Sequence, residues 1–416
     1  MFFKLKTSEE VLELLKAFGP SGEEGISIEN AHGRVLSRDI IAQENLPDYR
    51  KSTMDGYAVR AVDTFGATES IPALLEVVGE VITGKAPEVK CDKGQAVKIS
   101  TGGMLPEGAD GVVMVEYSSL LDEKTIEVSR SISPLENVIQ PGDDFKKDAL
   151  VLRKGSRLRP QDLGLMAGLG ICSVPVFRRS RIGIISTGDE VIPIDRKPKL
   201  AQVRDVNRYT LTSFCARHHA DPFVIGLCHD NFEQLRRMVE LGLKEADSIW
   251  ISGGSSVGTR DLTLKVFESF DETELLVHGI SISPGKPTII ARIGSKAVFG
   301  LPGHTASAMV VAQVFLPDFL ARISGESEKA PPWTNLVEAE LSRNIESASG
   351  RDDYIRVRLS HMKGRLVAEP IFGKSGLIST LVEADGLVKV GRNTEGLYEG
   401  QRIKVMLFDT MRGGFN

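Results

Sequence analysis

Residues 181–325 alternate short apolar runs with helix-length segments, and no other feature constrains the fold as tightly. Runs at 182–185, 223–227, 249–252, 288–291 and 297–299 read as strands. Segments 209–218, 232–246, 262–270 and 305–323 read as helices. Strands separated by helices of this length join in parallel, because a parallel connection needs a crossover, and the outcome is a doubly wound, mostly parallel α/β sheet. Ligands of such sheets bind outside the carboxyl ends of the strands.

Those ends carry glycine-broken turns: Ser186-Thr187-Gly188-Asp189-Glu190, Ser252-Gly253-Gly254-Ser255-Ser256-Val257-Gly258 and Leu301-Pro302-Gly303. The loop Ser283-Pro284-Gly285-Lys286-Pro287 adds a lysine. Backbone amides freed by glycine, together with one lysine, suit a phosphate-bearing ligand. Two familiar phosphate loops are excluded. Gly279 lies one residue too far upstream for a Walker A motif, and Pro287 stands where that motif needs Ser or Thr. No G-x-G-x-x-G opens the first strand-to-helix turn, which removes a nicotinamide-binding reading.

Carboxylates accompany the turns. Asp189 and Glu190 follow the first strand, Asp230 the second, and Asp261 the Ser252–Gly258 loop. Such acids would repel an anionic ligand unless a divalent cation sat between them, and Mg2+ takes one or two carboxylates plus ligand phosphates. Asp261 also reads as a simple helix cap. His218 and His219 end a helix, where a cation offsets the dipole. His304 instead opens a helix inside the expected site.

The flanks differ in character. Thr7-x-x-Glu10 is a capping box ahead of Val11, Leu12, Leu15 and Phe18 at helical spacing. Residues 34–42 read as a strand after a short helix. Residues 45–139 read as β, with strands expected at 74–81, 96–100, 111–117 and 125–129. Residues 150–170 read as helix, with Pro160 in place for a first turn and Gly168 and Gly170 near the end, that pairs with the N-terminal one and makes the β region an insertion. Residues 330–332 are a linker, and 333–416 read as a small β-barrel or sandwich. The expected division is therefore 1–44 plus 140–176 (helical/mixed), 45–139 (inserted β-rich), 177–328 (α/β) and 329–416 (β-barrel-like).

A net charge of −5 leaves no electrostatic footprint for nucleic acid. Four scattered cysteines without a C-x-x-C pair fit a reducing cytoplasm. The apolar run 306–316, stopped by Pro317 and Asp318, is too short for a membrane span. A soluble cytoplasmic protein is expected.

The chain resembles the MoeA-type molybdopterin molybdenumtransferase (gephyrin E-domain) family. The resemblance rests on Met54-Asp55-Gly56-Tyr57-Ala58-Val59-Arg60, Thr101-Gly102, residues 108–116, Ser186 to Glu190, Ser252-Gly253-Gly254 through Gly258 with Asp261, Pro284-Gly285-Lys286-Pro287 and Gly300-Leu301-Pro302-Gly303. These run in the family's order over nearly the whole chain. The resemblance implies a homodimer whose site is shared between subunits. The reaction inserts molybdenum from molybdate into adenylylated molybdopterin, uses Mg2+ and releases AMP. A molybdopterin adenylyltransferase is an implied partner.

By the same resemblance Asp55, Glu190, Asp261 and Lys286 are the catalytic candidates, and Glu190, Asp230 and Asp261 hold the metal. Asp144 matches another acidic position. Substrate contacts are expected from Thr101, Gly102, Thr187, Gly188, Ser252, Gly253, Gly254, Ser256, Gly258, Pro284 and Gly285. Pro302, Gly303, His304, Ser307, Arg351 and Ser375 complete that set, with Asp55 and Thr101 closing the crevice from the partner subunit. The chain departs from the family at Ser283, where a lysine is usual, and at His304-Thr305-Ala306, where Asn-Pro-Val is usual. Those losses leave room for a molybdopterin-binding paralogue without insertase activity, or for a tungstate-preferring insertase.

Overall fold

The computed structural model describes residues 5–253, 257–327, 335–362 and 364–408, and for 257–261 the backbone only. The chain divides into two compact units, 1–38 with 154–159 and 173–416, and 39–153 with 160–172.

The first unit contains strands β1 (Arg181–Thr187), β2 (Asp221–Cys228), β3 (Ser248–Gly253), β4 (Thr273–His278), β5 (Ile289–Ile293) and β6 (Lys296–Leu301). Helices α1 (Asn207–Arg217), α2 (Phe232–Glu245), α3 (Val257–Glu268) and α4 (Thr305–Ile323) connect or follow them. The sheet order is β2-β1-β3-β6-β5-β4. The first four strands are parallel, as the alternation predicts. β5 runs antiparallel to both neighbours. Only Gly294 and Ser295 separate β5 from β6, and two residues can make a hairpin but never a crossover. β4 escapes a sequence reading because its edge position leaves Glu274 and Leu275 exposed.

Both sheet faces are covered, which is why these strands are continuously apolar. On one face Trp250 stacks edge-on against Phe299 at 6.2 Å, and Phe299 against Phe319 of α4 at 5.0 Å. On the other, Ile185, Ile251 and Val298 pack with Leu235 and Val239 of α2 and Phe267 of α3. α4 is apolar on nearly every side and long enough to cross a membrane, but Val310, Val311, Phe315 and Phe319 are core residues. It runs through Pro317 to Ile323, the bounds 305–323 that the sequence reading gives it.

Helix Ser8–Leu15 starts at the expected capping box: the Glu10 N–H donates to Thr7 Oγ1 (3.2 Å), and the Thr7 N–H to Glu10 Oε2 (2.8 Å). Val11 and Leu15 bury in the same core as α4. The residues expected to pair with it, Pro160–Gly168, fall in the other unit.

The C-terminal part of the first unit is a closed barrel. Strands β7 (Leu336–Leu341), β8 (Asp352–Met362), β9 (Arg365–Ile371), β10 (Gly386–Val390) and β11 (Arg402–Leu407) close in the order β8-β9-β7-β11-β10-β8. Leu341, Val357, Val388 and Val405 fill it. The two-residue strand Ile282–Ser283 adds to β8 in parallel, Ile282 opposite Asp352 and Ser283 opposite Asp353.

The second unit is built on a six-stranded sheet. Its strands, in spatial order, are Gly111–Met114, Gly56–Val59, Gln95–Ile99, Ala73–Glu80, Thr125–Val128 and Ser118–Leu120. Alternate residues go to two cores, Ala58, Val97 and Val112 on one face and Val59, Ala96 and Val113 on the other. Residues 150–170 are not one helix: Leu150–Leu152 pairs with Ile40–Ile41, the whole of the strand expected over 34–42, and the helix begins only at Pro160, whose fixed φ suits a first turn.

His218 caps α1 with its ring 4.5 Å from Phe214, and its Nε2 has no partner among the described residues. Burial, reinforced by Arg217, His219 and Arg157, lowers its pKa from the ordinary 6.5 to about 4. It is therefore a neutral, packed imidazole, not the dipole-compensating cation that its position suggests. A depressed folded-state pKa contributes stability that is present above 6.5 and lost as pH falls towards 4. Urea midpoints should drop over that window by up to about 3 kcal/mol of stability, and His218→Leu should flatten the drop.

Candidate functional site

β1 lies between β2 and β3, so the winding reverses at β1 and the crevice falls at the carboxyl ends of β1 and β3. Ser186 is opposite Ser252 and Thr187 opposite Gly253. The two serine hydroxyls are buried and lack partners among the described residues, which marks a polar floor made for something other than the protein. Gly253 is required there: a Cβ would sit 2.2 Å from the Thr187 carbonyl oxygen.

An acidic group lines this end. The Thr187 hydroxyl donates to Asp230 Oδ1 (2.9 Å), and the Asp230 N–H donates to Asp189 Oδ1 (3.2 Å), with His229 Nδ1 3.3 Å from the same oxygen. Burial raises the Asp230 pKa, the Thr187 bond opposes that, and the charges of Asp189 and Glu190 add to the rise. Glu190 itself is exposed, one residue beyond Asp189. Among the described residues no three His, Cys, Asp or Glu side chains converge as a ready-made metal cage. Gly254 and Ser256 lie outside the described residues. Gly258 and Asp261 fall on α3, but the side-chain surroundings of both also lie outside them.

A second, basic cleft of about 500 Å³ opens where the 283–287 loop meets the barrel. The pairing of Ile282–Ser283 with β8 brings Pro284, Gly285 and Lys286 against Arg351, while the start of α4 supplies His304 and Ser307. Ser375 comes from the loop after β9. Its hydroxyl lies 3.2 Å from His304 Nδ1, and its carbonyl accepts the Ala306 N–H at 3.2 Å. Arg351 donates from Nε to Asp353 Oδ1 (2.8 Å) and from Nη2 to Oδ2 (3.4 Å). Lys286 is exposed, and no partner pairs with its amino group among the described residues. No carboxylate lines the cleft among those residues.

The sheet links the two regions: Ser186 lies opposite Ser252 and Ser252 opposite Leu301, which precedes Pro302 of the cleft, and the next carbonyl, of Gly303, accepts a 2.8 Å bond from Asn207 Nδ2. Asp55, Thr101 and Gly102 belong to the second unit and form a cluster of their own. Asp55 Oδ1 accepts from the Thr101 N–H (2.7 Å) and hydroxyl (3.1 Å), and the Gly102 N–H donates to Ser52 O (2.8 Å). Sequence reasoning passed over Ser186 and Asn207 as site residues, and Arg356 altogether. Arg356 lines the basic cleft although only 6% exposed. No spacing signal separates it from Arg358, the other arginine of β8.

Gly285 adopts φ +116°, and a Cβ there would lie 2.6 Å from Val311 Cγ2 and 2.8 Å from Ile282 Cδ1. Gly285→Ala should cost about 1–3 kcal/mol in a urea titration and displace the loop that carries Lys286.

Comparison with known proteins follows the same layout. Residues 6–170 match the model of the MoeA N-terminal region (domain I and II), 183–322 that of a "Probable molybdopterin binding domain", and 338–408 that of the MoeA C-terminal region (domain IV). The molybdopterin molybdenumtransferase of Haemophilus influenzae is 30% identical over 397 residues, covering 95% of this chain and 96% of that protein. The enzyme of the same name from Bacillus subtilis is 28% identical over 411 residues, covering 97% and 94%. A crystal structure of the molybdopterin biosynthesis MoeA protein from Pyrococcus horikoshii superposes with a TM-score of 0.82 at 35% identity, covering 98% of this chain and all of that one.

Proposed function

As the chain belongs to the MoeA family, whose work is molybdenum cofactor biosynthesis, we propose that it is a molybdopterin molybdenumtransferase that inserts molybdenum from molybdate into adenylylated molybdopterin and releases AMP. The observation that carries this reading is the side-by-side placement of an acidic strand-end crevice and an acid-free cationic cleft within one unit. A nucleotide phosphoanhydride and a free oxyanion are both anions, but only the first comes with a divalent cation that needs carboxylates.

In this reading the buried hydroxyls of Ser186 and Ser252, with Thr187, Gly188 and Gly253, bind the phosphate-bearing substrate. Gly254, Ser256 and Gly258 belong to the same proposed substrate-binding set. Glu190, Asp230 and Asp261 would hold Mg2+, and the donor set fits: burial and then the charges of Asp189 and Glu190 raise the Asp230 pKa, a burden that a cation would relieve. When bound, the ion supplies charge neutralisation at the phosphoanhydride. Lys286, Arg351, Ser307, Ser375 and His304 hold molybdate, with Pro284, Gly285, Pro302 and Gly303 shaping its pocket. Asp55, Thr101 and Gly102 close the crevice from the partner of a homodimer, and a molybdopterin adenylyltransferase supplies the substrate. The four-part division at 1–44 with 140–176, 45–139, 177–328 and 329–416 belongs to the same reading. So does a cytoplasmic setting, to which four unpaired cysteines are suited.

The rival reading is a paralogue that binds molybdopterin without inserting metal, and Ser283 beside the cleft favours it by bringing no charge. Incubation with adenylylated molybdopterin, Mg2+ and molybdate or tungstate separates the two, with AMP release and reconstitution of an apo-molybdoenzyme as readouts. Tight substrate binding without AMP release would sink the insertase reading. Asp230→Asn should slow AMP release at least about tenfold. Lys286→Ala, at an exposed position, should leave the melting temperature unchanged while raising the half-saturating molybdate concentration about tenfold.

A further inference from the structure

We infer that Arg356 is the residue that makes the basic cleft select a doubly charged tetrahedral oxyanion; the inference rests on the reading of that cleft as the oxyanion pocket. Arg356 sits on β8, lines the cleft and is 6% exposed. Its Nη2 donates to the Gly373 carbonyl (3.0 Å), and its Nε has no partner. No carboxylate pairs with it among the described residues. A guanidinium stays protonated even where burial lowers its pKa, as here, so this is a buried charge with no counter-charge from the protein. Such a group costs stability unless something neutralises it.

Counting charge in the cleft shows what would do so. Arg351 is held by Asp353 through two contacts, so that pair is neutral as a unit. Lys286 and Arg356 remain, two positive charges with no acid on the lining. The hydroxyls of Ser307 and Ser375 add donors without charge. A dianion balances this set, and a monoanion of the same shape leaves one charge unanswered. Lys286 is exposed, so water offsets its charge when the cleft holds no ligand. The buried Arg356 has no such alternative, so it carries the discrimination.

The test compares molybdate with perrhenate, tetrahedral oxyanions of closely similar size that differ by one charge. Calorimetric titration of the full chain should show molybdate binding at least about tenfold more tightly than perrhenate. Arg356→Gln keeps a donor for Gly373 and loses the charge, so it should bring the ratio close to one. Arg356→Lys should restore most of it. A ratio unchanged in folded Arg356→Gln would overturn the inference and leave Arg356 a structural residue. Should the neutral variant not fold, the wild-type melting temperature decides: it must rise with molybdate and not with equal perrhenate, and equal rises would overturn the inference. Failure of AMP release with the anion ratio intact would remove the insertase reading and leave this assignment standing.

Discussion

The first unit depends on a two-residue strand. Ile282 and Ser283 leave the α/β sheet and pair with Asp352 and Asp353 at the start of β8, so one short ladder joins the phosphate-type loop to the barrel. Adjacent residues of a strand face opposite ways, and the two aspartates use that. Asp353 holds Arg351, which lines the cleft. Asp352 turns to the other side, where it accepts from the Ser8 hydroxyl (2.7 Å) and the Arg392 N–H (3.0 Å), with Lys389 Nζ at 2.9 Å. Ser8 is the first residue of the N-terminal helix, whose apolar side is locked into the α4 core. Lys389 also reaches Glu9. The loop, the barrel and the first helix are thereby fixed to one another by a buried, fully partnered carboxylate. Tyr354, with its hydroxyl 3.2 Å from Ser8 Oγ, extends the same network to the cleft wall, and burial pushes its pKa up to about 12, so it stays a neutral wall residue.

On that frame the charges are kept apart. The acids cluster at the ends of β1 and β2, where burial, and then the charges of Asp189 and Glu190, raise the Asp230 pKa. The bases cluster at the cleft, and the Arg351–Asp353 pair there is internally balanced. Had Asp230 faced Lys286, the two would have formed an ordinary ion pair and neither site would be available to a ligand. Separation within one unit leaves both poles unsatisfied by the protein. A surface selected only for stability has no reason to keep buried hydroxyls at Ser186 and Ser252 unpaired as well.

Much of this was legible in the chain before its structure. The alternation over 181–325 and the capping box at Thr7 map onto real elements because they report local chemistry, periodicity and end-group hydrogen bonding. What escaped was tertiary. The antiparallel β5 was hidden in two residues of loop length. His218 looked like a helix-end cation, and only its packing on Phe214 shows that it stays neutral. Residues 150–170 read as one helix because apolar spacing cannot show that Leu150–Leu152 is drawn into pairing with Ile40–Ile41. Arg351, Arg356 and Arg358 are spaced in ways that any strand tolerates. Which of them is buried is decided by what covers β8 on each side, and no local pattern records that.

The two uncompensated cations of the cleft are not equivalent, and their difference bears on the departure at Ser283. At about 4 Å a pair of unit charges is worth about 1 kcal/mol in bulk water and about 4 kcal/mol at the effective dielectric of a protein surface. An exposed lysine lies towards the first limit and a buried guanidinium at or beyond the second. The lysine that the family resemblance leads one to expect at Ser283, a half-buried position lining the cleft, would therefore have added a smaller share of the attraction than counting charges suggests. The larger share stays with Arg356, whose position is set by the Gly373 carbonyl and by the strand that Ile282–Ser283 docks upon. The ladder that positions the loop thus also docks on the strand that carries the cleft's buried charge.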